Sequence, residues 1–204
     1  MSIAILGWGS LLWDDHPKFA TFKEQHYPWQ FNGPTLRLEF SRVSESRDGA
    51  LTLVIEAEPH GADCVVAYAL SRRSELEDAV CDVRSREGTI MANVGFCCAD
   101  PRKPVRSRDG RVLDTVRQWL VARGHSGAVW TDLRSNFDKV SKPQATFSVT
   151  NAIAHVRALP LAGQTKAAEY VWRAPDLVQT PLRAALQAEA WFAALKPVLP
   201  AQQI

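Results

Sequence analysis

Long apolar runs are missing from this chain. No stretch approaches the roughly 18 consecutive apolar residues that a membrane-crossing helix needs. The apolar start, Ile3-Ala4-Ile5-Leu6, has no basic region ahead of it and is interrupted at Gly7, so it is not read as a secretory signal. An excess of charge of one sign is missing too. The chain has 24 Lys and Arg against 22 Asp and Glu, a net charge of +2. That near balance lacks the broad basic field by which nucleic-acid binders hold phosphates. Cys64, Cys81, Cys97 and Cys98 contain no C-x-x-C pair, and His16, His26, His60, His125 and His155 contain no H-x-x-x-H pair. The usual zinc spacings are therefore absent, and free buried thiols are expected. A cysteine–histidine nucleophile stays open, because such partners meet only in space. No thiol, however, sits at an evident helix N-terminus that would activate it. From these absences a cytoplasmic protein is expected, with no metal, no nucleic-acid partner and no membrane partner. A homodimer is compatible with them.

What is present is ample apolar material, 46% of 204 residues, enough for one domain with a real core. Strand-like runs fall at 3–6, 36–40, 51–55, 64–70, 89–98 and 127–131. Residues 36–40 alternate apolar and charged, the period of a half-buried strand. The three runs between 36 and 70 are joined by short turns and predict an antiparallel meander. Residues 14–34 read as a loop-rich aromatic segment with one helical turn. A helix is expected from a Ser74 N-cap to Gly88 as its stop, and another over 112–123, ending at Gly124. Helices follow at 149–159, 165–173 and 180–199, the last started by Thr180-Pro181. Residues 100–110 read as a basic, proline-containing loop or hairpin, and 133–144 as a polar loop. Strands and helices do not alternate strictly, which favours α+β over a doubly wound sheet.

The informative stretch is Gly7-Trp8-Gly9-Ser10-Leu11-Leu12-Trp13, which follows the first strand directly. Glycine permits φ > 0 and close approach of another group. Consecutive N–H groups at such a bend can converge on an anionic oxygen. By itself the pattern equally fits a strand-ending turn beside a large aromatic. It is neither a dinucleotide fingerprint, lacking the third glycine, nor a P-loop, lacking Gly-Lys-Ser/Thr. The second stretch is Arg86-Glu87-Gly88, where a helix gives way to a strand. A glutamate there faces the negative end of the helix dipole, and residues that break local rules often serve function. The ordinary alternative is a solvated glutamate paired with Arg84 or Arg86. Ser41-Arg42 and Ser46-Arg47 offer guanidinium forks for a carboxylate, or solvated arginines at a turn.

The opening loop resembles the Tyr-Gly-Ser-Leu-Ile-Trp loop of ChaC-type γ-glutamylcyclotransferases and the Tyr-Gly-Ser-Asn loop of the wider family. Residues 76–95, with Arg86-Glu87-Gly88, are similar to the family segment that carries its catalytic glutamate. Ala168-Glu169-Tyr170-Val171 resembles the helix whose tyrosine closes over the substrate. The resemblance covers about residues 3–95, and the rest loosely. It departs at Trp8, which replaces the loop tyrosine, while Leu11 stands for the loop asparagine as in the ChaC-type branch. The resemblance implies an α+β fold, a mixed β-sheet or barrel with flanking helices, filling 1–204 as a single domain with 149–204 as a helical C-terminal extension. It implies a cofactor-free enzyme that cleaves a γ-glutamyl amide of the glutathione class to 5-oxoproline and an amine. It assigns acid–base catalysis to Glu87, expected to be partly buried. Substrate holding falls to Gly7, Trp8, Gly9, Ser10 and Leu11, with Tyr170 assisting; Arg42 is added to them not by the resemblance but as a guanidinium fork beside the second strand. A binding module on the same fold and an amide hydrolase remain as alternatives. The stretch 130–137 reads as a lining of the site mouth or as a surface loop.

Overall fold

A run such as Ile3-Ala4-Ile5-Leu6, apolar on both faces of its pleat, has to be covered on both sides. In a computed structural model, which describes residues 2–198, it is strand β1 (Ile3–Gly7), buried along its whole length. The fold is α+β with two open sheets. Contacts divide the chain into two units, one made of the residues up to Leu36 with Val65–Leu133, the other of Arg37–Cys64 with the chain from Arg134 onward.

In the first unit β1 runs between β5 (Ala67–Leu70), antiparallel, and β7 (Gly127–Thr131), parallel. Strand β6 (Val94–Cys98) lies antiparallel on the far side of β7. Helix α2 (Leu76–Glu87) covers one face. Its Ala79, Val80 and Val83 pack with Ile3, Ile5, Val94 and Val129 and with Phe22 of the short helix α1 (Ala20–Glu24). Helix α3 (Gly110–Arg123) starts on an Asp109 cap and ends at a left-handed Gly124. Gly95 stands opposite Trp130, and a Cβ there would come within 2.3 Å of the indole, which is fully buried. Both sheet edges are closed by single bridges, Gln30 with Tyr68 on β5 and Arg106 with Phe96 on β6. Such covering removes the exposed ladder that would invite another chain.

The run 64–70 is not one strand. It breaks at Val66, whose N–H donates to the Pro34 carbonyl (3.0 Å) and whose carbonyl accepts from Gly33 N–H (2.9 Å). That close pass, possible because residue 33 has no side chain, takes the backbone partners of Val66. The chain then moves from β4 (Ala62–Val65) in one sheet to β5 in the other. The expected meander is corrected as well: β2 (Thr35–Val43) is central, between β3 (Leu51–Ile55) and β4. At the preceding turn Gly61 has φ +76°, and a Cβ on it would meet the Leu38 carbonyl at 2.5 Å, so the chain crosses tightly over β2. Helix α2 takes Glu75, not Ser74, as N-cap, because the Glu75 carbonyl receives its first helical bond, from Ala79.

The second unit carries α4 (Phe137–Val140), α5 (Val149–Ala158), α6 (Leu161–Arg173), α7 (Pro181–Ala188) and α8 (Ala190–Ala193). Thr180 caps α7 as expected, but the helix stops at an extended Glu189. Residue 199, the expected end, lies outside the described residues. Glu39 is fully buried, although alternation along β2 would place it on a half-solvated face. Its carboxylate accepts from Phe40 N–H (2.8 Å), Thr180 Oγ1 (2.6 Å) and Leu182 N–H (3.3 Å), at the positive end of α7. Burial pushes the Glu39 carboxyl up, and these three bonds oppose that shift. His155, also buried, bridges two segments: Nδ1 accepts from Lys142 N–H and Nε2 donates to the Gly49 carbonyl, both at 2.8 Å. Among the described residues no helix is long and apolar enough to cross a membrane.

Two outcomes follow. Gly95→Ala overpacks the indole and should lower stability by about 1–3 kcal/mol, part of which returns in Gly95→Ala/Trp130→Phe, as chemical denaturation of the four-member cycle would read. Burial holds the His155 imidazole below its ordinary value. The unfolded chain therefore takes up the proton first as pH falls through about 6.5, and stability is lost below that point. Replacing His155 with Gln should flatten the stability slope between pH 7 and 5 by at most about 1.4 kcal/mol per pH unit. His26 and His125, also shifted down by burial, contribute slope of the same sign in both proteins, and the raised Glu39 carboxyl opposes it.

Candidate active site

The first strand delivers its loop at the C-terminal end of β1. Neither Gly7 nor Gly9 has a positive φ; among the described residues the left-handed glycines are 49, 61, 88 and 124. The loop is thus not a nest of alternating hand, and the glycine requirement at position 7 is one of space. A Cβ there would come to 3.1 Å from the Trp29 ring and from Leu12. The chain then makes one tight turn, with Leu12 N–H on the Gly9 carbonyl (3.0 Å) and Asp14 N–H on the Ser10 carbonyl (2.9 Å). Trp13 N–H also reaches the Ser10 carbonyl, at 3.3 Å, so the turn uses the amides of residues 12–14. Trp8 is buried, and Leu11 packs against the α2 core cluster.

Helix α2 brings Glu87 to this loop. Gly88 (φ +58°) ends the helix, its N–H reaching the Arg84 and Ser85 carbonyls, and Thr89 N–H also bonds the Arg84 carbonyl. That double closure fixes the last helical turn. Arg86, in the same turn, turns inward and has a side chain only 5% exposed. Its Nη2 donates to the Ser10 carbonyl at 3.0 Å, its Nη1 lies 3.8 Å from the Glu87 carboxylate, and its guanidinium stacks 3.5 Å from the centre of the Phe19 ring. The Glu87 side chain is 19% exposed. The arginine–glutamate pair that adjacency in sequence suggests is therefore present, with its arginine buried beside the loop and its carboxylate partly exposed. The cation also offsets the helix dipole that disfavours a carboxylate at this end.

Arg42 and Tyr170 belong to the second unit. Arg42 Nη1 donates to the Arg134 carbonyl (2.7 Å). The Tyr170 ring is buried, edge-on to Phe40, with the Arg47 guanidinium over it at 5.2 Å. The grouping around Glu87 is made by the first unit alone. The stretch 130–137 is used for fastening within each unit. Asp132 accepts from Arg108 N–H, Ser135 donates to the Ser41 carbonyl, and the Asn136 amide bonds both backbone groups of Val43. All four thiols are free, with Cys64 and Cys97 buried and Cys81 exposed. Burial pushes the Cys97 thiol up to about 12 and also raises Cys64 and Cys98. None of these three is thereby activated as a nucleophile. Among the described residues no group of three His, Cys, Asp or Glu could hold a metal ion.

Reading along the chain missed Arg86, Phe19 and Trp29. Arg86 was visible only as a neighbour of Glu87, because nothing local marks an arginine that folds inward. Compared with known proteins, the chain matches no protein-family model, no curated protein and no solved structure.

The helix end that places Glu87 depends on Gly88. Gly88→Ala should cost about 1 kcal/mol for a left-handed residue with a Cβ. Gly88→Asn, which tolerates that conformation better, should cost less; urea denaturation of the two variants reads the difference.

Proposed function

We propose that this chain is a γ-glutamylcyclotransferase-type enzyme, with a variant of that family's mixed-sheet fold. The observation that carries the reading is the Glu87 carboxylate held within 3.8 Å of a guanidinium that also grips the Ser10 carbonyl of the first loop. The two sequence stretches that resemble the family are thereby joined in space. The α-amine of a γ-glutamyl amide attacks its own γ-carbonyl, a C–N bond closes a five-membered ring, and the original amide C–N bond breaks. The products are 5-oxoproline and an amine. Because the nucleophile belongs to the substrate, the protein has mainly to orient it, and effective molarities for such closures reach on the order of 10⁵ M. Glu87 accepts a proton from the ammonium and returns one to the leaving amine. The amides of residues 9–11 face the negative charge of the substrate carboxylate or of the tetrahedral oxygen. Tyr170 is assigned a supporting contact by resemblance only, and Arg42 by the carboxylate-binding chemistry of its guanidinium. The carboxylate could equally direct a water, which would release glutamate in place of 5-oxoproline.

Mass spectrometry of incubations with glutathione and a panel of γ-glutamyl amino acids and amines separates these readings. The expected product is 5-oxoproline, with Glu87→Gln reducing its rate by about 10²–10⁴-fold. Free glutamate would move the reading to hydrolysis. Binding without turnover, equal in wild type and variant, would make the site a binding module.

A further inference from the structure

We propose that Arg86 is a positioning residue of this site, locking the Glu87 carboxylate to the first loop so that base and substrate cradle move as one body. The inference rests on the proposed function and adds a residue the resemblance gave no role. Three contacts define it: a hydrogen bond to the Ser10 carbonyl in the loop (3.0 Å), an ion pair at 3.8 Å with the neighbouring Glu87 carboxylate at the end of its own helix, and the Phe19 ring in the 3-10 turn Pro17–Phe19. A guanidinium cannot lose its charge, so a side chain 5% exposed must keep such partners wherever it is placed. Its guanidinium donates to one carbonyl and lies 3.8 Å from a carboxylate while its face takes an aromatic ring, a combination a lysine ammonium cannot reproduce. The Ser10 carbonyl, already accepting from Trp13 and Asp14, takes the arginine as a third donor. The loop conformation and the glutamate are therefore set by the same group. The cation also favours the ionised form of the carboxylate next to it.

The test is steady-state kinetics of wild type, Arg86→Met, Arg86→Lys and Phe19→Leu on a γ-glutamyl amide turned over by the wild type, across pH. Arg86→Met should lower kcat by about 10²-fold, the scale of a small misplacement of reacting groups, with KM changing less. The acid limb of its profile should move to higher pH. Arg86→Lys should restore the acid limb but not the full kcat, since it returns charge without the fork. Phe19→Leu, which leaves Arg86 in place and keeps an apolar neighbour, should lower kcat by a smaller factor and serves if Arg86→Met does not fold. Unchanged kcat and acid limb in Arg86→Met, or in Phe19→Leu where Arg86→Met fails to fold, would overturn the assignment. Should no γ-glutamyl amide be turned over, the proposed function fails, and NMR titration of the Glu87 side-chain carboxyl reads Arg86 by itself. A midpoint moved upward in Arg86→Met, or in Arg86→Gln if the first does not fold, upholds the lock, and an unmoved one overturns it.

Discussion

A permanently charged guanidinium held almost out of water constrains everything around it. Around Arg86 stand the Ser10 carbonyl, the Glu87 carboxylate and the Phe19 ring, which offset the cost of taking its charge out of water. Each of those groups is delivered by a different piece of the first unit. The loop comes from the end of β1, the carboxylate from the last turn of α2, and the ring from the aromatic segment before β2. The sheet exists to hold these three in register: β1 is clamped between β5 and β7, and α2 packs its apolar stripe across Ile3, Ile5 and Val129. A site assembled this way inherits the rigidity of the core beneath it, which is the condition for acid–base chemistry by a single carboxylate.

The second unit shows the same economy of buried charge. Glu39 lies fully inside and is satisfied by a backbone amide of its own strand, a threonine hydroxyl and the Leu182 amide in the first turn of α7. Arg183, on α7, is buried too and donates to the carbonyls of Ala174, Pro175 and Val178. Neither charge pairs directly with the other. Each is matched to helix ends and loop carbonyls, so the polar groups specify which helix meets which strand. An apolar contact would not carry that directionality.

Much of the secondary structure was legible along the chain because periodicity reports the faces that must be covered. Strands β3 and β7 fall at their expected bounds, and the ends of α2 and α3 follow their glycines. The break at Val66 was not legible, since the run Cys64-Val65-Val66-Ala67-Tyr68 is uniformly apolar. The break is imposed by Gly33 and Pro34, thirty residues earlier, which occupy the backbone partners of Val66. Glu39 was misplaced for a related reason. Alternation says that successive residues face opposite sides, not that one side is wet, and here a helix N-terminus covers the side that looks polar.

The sequence by itself determined the α+β class, the buried first strand, the tight loop that ends it and the anomalous glutamate at a helix terminus. These are local facts, carried by apolar period, glycine spacing and the helix dipole. Only the tertiary structure decided that the loop and Glu87 adjoin, that Arg86 turns inward to connect them, and that one apolar run feeds two sheets. Those outcomes depend on which groups are left to satisfy a buried charge or a backbone amide once the chain has packed. No window of sequence contains that information.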